Sequence, residues 1–244
     1  MASPDEFRLR RLRQDVLRQI QSGVDLSNAF SLLGCIEFLS KDEAAMRNAF
    51  NKALSLPGAP VEVRMNYANF LGAFFRHDEA LEIMRQLLTT HQGNFSVIEL
   101  SAEIAMAAAD FRLASNCADQ ADRLRATGRD SDVLMLMKNP SFQLLKERIA
   151  SSSPVSMESL CEATRIAGEV IRTRHGAATA WASEFVDSPA MVSVFSVIAT
   201  IDEIVETNFM IADALVAADL DHTGEFLTIS CTKHRDAEQV PQLS

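Results

Sequence analysis

The sequence predicts a mostly α protein: a solenoid of helical hairpins followed by a small α/β C-terminal domain. Three observations predict it. A side-chain frame recurs every 34 residues, as Phe30, Leu33, Gly34, Phe50, Ala53, then Arg64, Tyr67, Ala68, Met84, Leu87, then Ile98, Ser101, Ala102, Ala118, Ala121, and a period of this length marks stacked helix-turn-helix units. Only nine Gly and seven Pro occur in 244 residues that are 48% apolar, which suits long helices, short turns and a packed core. Toward the C-terminus the apolar period changes from helical to alternating, then to helical and alternating again.

Taken in order, residues 5–21 predict a helix, with Leu9, Leu12, Val16 and Ile20 as its apolar stripe and Arg8, Arg10, Arg11, Arg13 and Arg18 around it. Three hairpins follow at 27–60, 61–94 and 95–128. Their helices are expected over 28–39 and 42–55, 61–74 and 78–90, and 96–109 and 111–126. Pro57, Gly58 and Pro60 close the first unit, Gly93 the second and Gly128 the third. Residues 131–149 form a capping helix, or two helices broken at Pro140, and Ser151 to Pro154 read as a linker. Beyond it, a helix is expected over 157–174 and a short one over 177–185 carrying Trp181. A turn at Asp187 to Pro189 then leads to a strand over 191–198, a helix over 201–220 and a strand over 225–231. A helix of that length can carry a right-handed crossover between parallel strands, although two strands rarely stand as a sheet alone. The domain organisation is therefore an N-terminal helix (1–26), repeats with a cap (27–150), an acidic α/β domain (151–235) and a tail (236–244).

The frame resembles the tetratricopeptide repeat. Phe30, Leu33, Gly34, Phe50 and Ala53 match that family's pattern well in the first repeat, Ala68, Ala80, Met84 and Leu87 moderately in the second, and Ala102, Ala114 and Ala121 match in the third. Small residues at the eighth and twentieth places let paired helices approach closely. The chain departs from the family at Arg64, at Glu37, Leu71 and Ala105 where Tyr is usual, and at Gly58, Gln92 and Ala126 where Pro is usual. The resemblance implies a concave partner-binding groove lined by Asn28, Ser31, Cys35, Phe38, Glu62, Met65, Asn69, Glu99, Glu103 and Met106. Its mixture of apolar and acidic residues would suit a peptide with apolar anchors and a Lys or Arg. The cationic grip that some relatives use on acidic C-termini is missing from these positions.

Charge is uneven. Residues 1–150 carry 18 basic and 19 acidic side chains, whereas residues 151–244 carry 5 and 14. The acidic half argues against nucleic acid there, because phosphate contacts need Lys and Arg. Asp202, Glu203, Glu206 and Asp213 form an acidic face that would suit a basic partner. Cys35, Cys117, Cys161 and Cys231 are scattered, without metal spacing, as expected of small buried residues in a reducing cytoplasm. No apolar leader or run of about 20 apolar residues is present, so neither a secretory signal nor a membrane span is expected.

No motif for catalysis, phosphate binding or metal ligation occurs. Asp219, Asp221, His222 and Glu225 make the only dense polar cluster and read as a solvated turn. No catalytic residue, metal or cofactor is expected. The functional expectation is a non-enzymatic adaptor, chaperone or inhibitor that holds a partner polypeptide in the groove. One alternative is an assembly subunit self-associating through its C-terminal strands. Another is a nucleic-acid binder using the arginine-rich first helix.

Overall fold

The computed structural model describes residues 6–124, 132–151, 155–185 and 190–234. The chain is mostly α, ending in a small α/β part. The helices are α1 (Glu6–Ser22), α2 (Leu26–Leu39), α3 (Glu43–Ser55), α4 (Val61–Ala73), α5 (His77–Thr90), α6 (Phe95–Ala107), α7 (Phe111–Arg123), α8 (Asp132–Lys138), α9 (Pro140–Ser151) and α10 (Met157–His175). Then come β1 (Ala180–Phe185), β2 (Met191–Val197), α11 (Ile201–Ala217), a 3-10 turn at Asp221–Glu225 and β3 (Leu227–Lys233). The helix break at Asn139 and Pro140 falls where the sequence places it. Pro154, the turn from Asp187 to Pro189, Gly128 and the tail from Asp236 lie outside the described residues. The chain divides into two compact units, one running to Phe70 and the other from Leu71 to Lys233.

The 34-residue period is written into the backbone. Lys41, Phe75 and Ala109, which follow the ends of α2, α4 and α6, all have φ of 59°. At each stop the next amide reaches back five residues: Asp42 to the Glu37 carbonyl (3.0 Å), Arg76 to Leu71 (2.9 Å) and Asp110 to Ala105 (2.8 Å). The inner bond recurs too, from Lys41 to Phe38 (2.8 Å), Phe75 to Gly72 (2.9 Å) and Ala109 to Met106 (3.1 Å). This is the Schellman pattern, which satisfies carbonyls that a helix end otherwise leaves open. Two of the second helices are then started by an aspartate: Asp42 accepts from the Ala45 amide (2.8 Å) and Asp110 from Leu113 (3.0 Å).

Most frame residues are inside, although Arg64 is exposed and Phe30 and Leu33 are half-buried. Met46, Ala53, Ala68, Ala80, Met84, Leu87, Ala102 and Ala114 are all fully buried. In the unit up to Phe70, Gly34 lies against the Phe50 ring, and Phe50 stacks on Tyr67 with centroids 5.2 Å apart. A Cβ on Gly34 would stand 2.5 Å from the ring. In the second unit, Gly168 of α10 lies against Phe75, where a Cβ would stand 2.8 Å from the ring and 3.0 Å from the Phe75 Cβ. Phe75 in turn meets Phe195 of β2 at 5.1 Å, and the Ala178 amide donates to the Ala73 carbonyl (2.9 Å). Gly34→Ala and Gly168→Ala should each lower stability in urea by about 1–3 kcal/mol through overpacking, despite the better helix propensity of alanine. Gly93→Ala, with nothing within 4 Å of the added carbon, should leave the midpoint nearly unchanged.

The sheet has the order β1-β2-β3. β2 and β3 are parallel, in the strand-helix-strand arrangement the sequence predicts, with Met191 opposite Leu227 and Phe195 opposite Cys231. The segment expected as a short helix over 177–185 is instead strand β1, antiparallel to β2, with Trp181 opposite Phe195 and Phe185 opposite Met191. Pairing with β2 overrides the helix preference of its alanines. It also supplies, within the chain, the third strand that a small sheet needs. Met191, Phe195, Val197, Leu227, Ile229 and Cys231 give the sheet one buried face.

Candidate functional site

In the unit up to Phe70, the expected groove positions belong to α2 and α4. Asn28, Glu62 and Asn69 are exposed, while Cys35, Phe38 and Met65 are half-buried. Phe38 stacks on Phe70 with centroids 4.3 Å apart, which fixes the apolar part of this strip. Asn28 donates to Asp25 (2.8 Å). Burial raises the Cys35 thiol pKa, so it stays protonated and acts as a small apolar contact. Ser31 departs from expectation: it is buried, because α2 is packed between α1 and α3.

The third hairpin, in the other unit, requires a larger correction. Met106 is fully buried and cannot line an open surface. α6 is contacted by α5, α7, α8 and β1, so the side expected to face a partner is covered by the chain itself. Glu99 and Glu103 remain half-buried on α6. Burial raises the pKa of Glu103, and the neighbouring Glu99 charge adds to this.

The arginines of α1 are largely spent on their own chain. Arg10 pairs with Glu6 (3.0 Å), Arg18 with Asp15, and Arg13 with the buried Glu37. That last pair is structural, since Glu37 inside the fold needs a cation. Asp219, Asp221, His222 and Glu225 follow α11 along the 3-10 turn, and no group of three or more His, Cys, Asp or Glu converges as a metal site among the described residues.

The acidic face of α11 divides by role. Glu203 closes a capping box: its carboxylate accepts from the Thr200 amide (2.8 Å) and hydroxyl (2.8 Å), and the Glu203 amide donates to Thr200 Oγ1 (3.3 Å). The backbone bond first, then the hydroxyl, lowers the Glu203 pKa. Glu206 receives Arg174 from α10 (2.6 Å). Asp202 and Asp213 stand exposed on the same helix. No family model, curated protein or solved structure matches this chain. Its geometry therefore carries the functional reading.

One feature was not read from the sequence. Val205 and Ala212 recur at helical spacing with Ile204, Asn208, Ile211 and Leu215 in the sequence, yet both are exposed on α11. Ile204, Thr207 and Ile211 make the buried side, and Asn208 is the side chain that ties it to the sheet. Its amide donates to the Cys231 carbonyl (3.0 Å) and its oxygen accepts from the Cys231 amide (2.7 Å), on strand β3. The signal was present in the sequence: apolar residues at 201, 205, 209 and 216 make a second stripe, so the helix is apolar on two sides.

Proposed function

We propose that the protein is a non-enzymatic interaction module that holds another polypeptide against the inner places of its helical hairpins. The observation that carries this reading is the strip on α2 and α4 up to Phe70, where half-buried Cys35, Phe38 and Met65 are bordered by exposed Asn28, Glu62 and Asn69. Apolar anchors in the centre with polar residues at the rim are the layout of a protein-binding surface. The resemblance to the tetratricopeptide repeat supports the same reading, as do the three Schellman stops 34 residues apart. A methionine at the centre of such a strip adapts to varied anchor side chains. Work in the cytoplasm is part of the proposal, supported by four free thiols. Burial pushes the pKa of all four up, Cys117 to about 12 and Cys161 and Cys231 to about 11.

The test uses the full chain, purified by affinity from its native host as wild type, Met65→Glu and Glu62→Lys. Both positions are accessible, so circular dichroism should show an intact fold in each variant. A polypeptide retained by the wild type should be lost with Met65→Glu and weakened with Glu62→Lys. Equal recovery from all three proteins would remove the hairpin strip as a binding surface. Met106→Glu is unsuitable for this purpose, because it would place a charge in the core.

A further inference from the structure

We infer that the outward face of α11 is a second docking surface, shaped for a basic amphipathic helix of another protein. It lies in the unit from Leu71 to Lys233 and does not depend on the hairpin strip.

Among the described residues, α11 is committed on one side only. Its inner side is fixed by Asn208 on Cys231, by His175 Nε2 within 2.8 Å of the Thr207 hydroxyl, and by Arg174 on Glu206. On the outer side stand Ile201, Val205, Phe209 and Val216, which are 69%, 49%, 68% and 63% exposed. Spacings of four, four and seven residues put them in one line. At 1.5 Å per residue the line runs about 22 Å, the length over which two helices pack side by side. Single exposed apolar residues are common, but four in register on one rigid helix mark an interaction surface.

The charges choose the occupant. Residues 175–232 carry nine carboxylates and no Lys or Arg. Exposed Asp202 and Asp213 border the stripe, so the complement is a helix with an apolar seam flanked by Lys or Arg. A second copy of this chain fits poorly. A two-fold antiparallel pair of α11 centred on Phe209 would bring Asp213 of one copy level with Val205 of the other and Asp202 level with Val216, setting carboxylates against the apolar stripe with no cation from either helix. A lipid surface is also disfavoured, because interfacial helices that bind anionic membranes carry Lys and Arg on their polar face.

The experiment measures fluorescence anisotropy of a synthetic helical peptide of about 18 residues, with a leucine seam and lysine flanks, against the whole 244-residue chain. The comparison peptide keeps the seam and carries glutamate flanks. The lysine peptide should bind the wild type, and Phe209→Ser should weaken it by about ten-fold, as loss of a central apolar anchor does. Asp213→Lys should weaken it several-fold, and raising salt from about 0.05 M to about 0.5 M should do the same. Met65→Glu should leave binding unchanged, so a failed hairpin surface and a failed α11 surface are told apart. Equal binding of both peptides, or no loss with Phe209→Ser, would overturn the assignment. So would a concentration-dependent dimer in light scattering that Phe209→Ser abolishes, since the face would then belong to a second copy. Phe209-dependent binding of the protein to phosphatidylcholine vesicles would overturn it in favour of a membrane.

Discussion

Phe142→Ala should lower the unfolding free energy by about 3–5 kcal/mol, the cost of removing a buried ring and leaving a cavity. Phe142 is fully buried on α9. Its ring meets Phe111 of α7 edge-on at 5.7 Å and Phe185 of β1 at 6.4 Å, and Lys146 Nζ stands 5.8 Å from its centroid. One side chain thus joins a hairpin helix, the capping helix and the first strand of the sheet. Leu144→Ala, on the same helix but 52% exposed, should shift the urea midpoint far less. Equal midpoints for the two variants would show that the ring cluster does not hold these elements together.

His77 should make the protein acid-sensitive in a defined window. It is buried at the start of α5, its Nε2 has no hydrogen-bond partner, and the Phe75 ring lies edge-on at 5.9 Å. Burial lowers its pKa from 6.5 to about 4, while a hydrogen bond to the Gly72 carbonyl opposes part of that shift. Between these values the unfolded chain binds the proton and the folded chain does not, so stability falls as pH drops. The stability linked to His77 is complete above about pH 6.5 and lost on approaching pH 4, in total about 3 kcal/mol. Carboxylates with lowered pKa add their own losses, so the comparison is with His77→Leu. Urea midpoints measured at successive pH values should fall less steeply for His77→Leu than for the wild type between pH 6.5 and 4. Parallel curves would mean that His77 does not titrate as a buried neutral ring.

The hairpin array was legible because its signals are local. Helix starts at Asp42 and Asp110, apolar periods and small frame residues act within a few turns, and their positions in the structure follow the sequence closely. The strand-helix-strand order was legible for the same reason, since β2 is rich in β-branched residues and the apolar residues of α11 recur at helical spacing. β1 was not. Ala180, Ala182 and Glu184 alternate with Trp181, Ser183 and Phe185, but alanine gives little polar contrast and favours helix, so only pairing with β2 defines the strand. The core position of Met106 was hidden by distance. The repeat frame describes a hairpin and its neighbours, whereas α8 and β1, which also contact α6, arrive from further along the chain. At α11, a helix with two apolar sides does not reveal which one the fold uses. Asn208 and Cys231 decide that question through a long-range contact.

The amide of Asn208 has a consequence for the integrity of the whole C-terminal part. By taking both backbone groups of Cys231, it gives the outer border of β3 a side chain where another strand would otherwise add. Trimming or peeling away α11 would uncover that border beside the apolar row of Leu227, Ile229 and Cys231. Such a bare rim templates uncontrolled strand addition and invites precipitation. The helix that offers an outer rail to visitors is thereby also the stopper that keeps the sheet from growing.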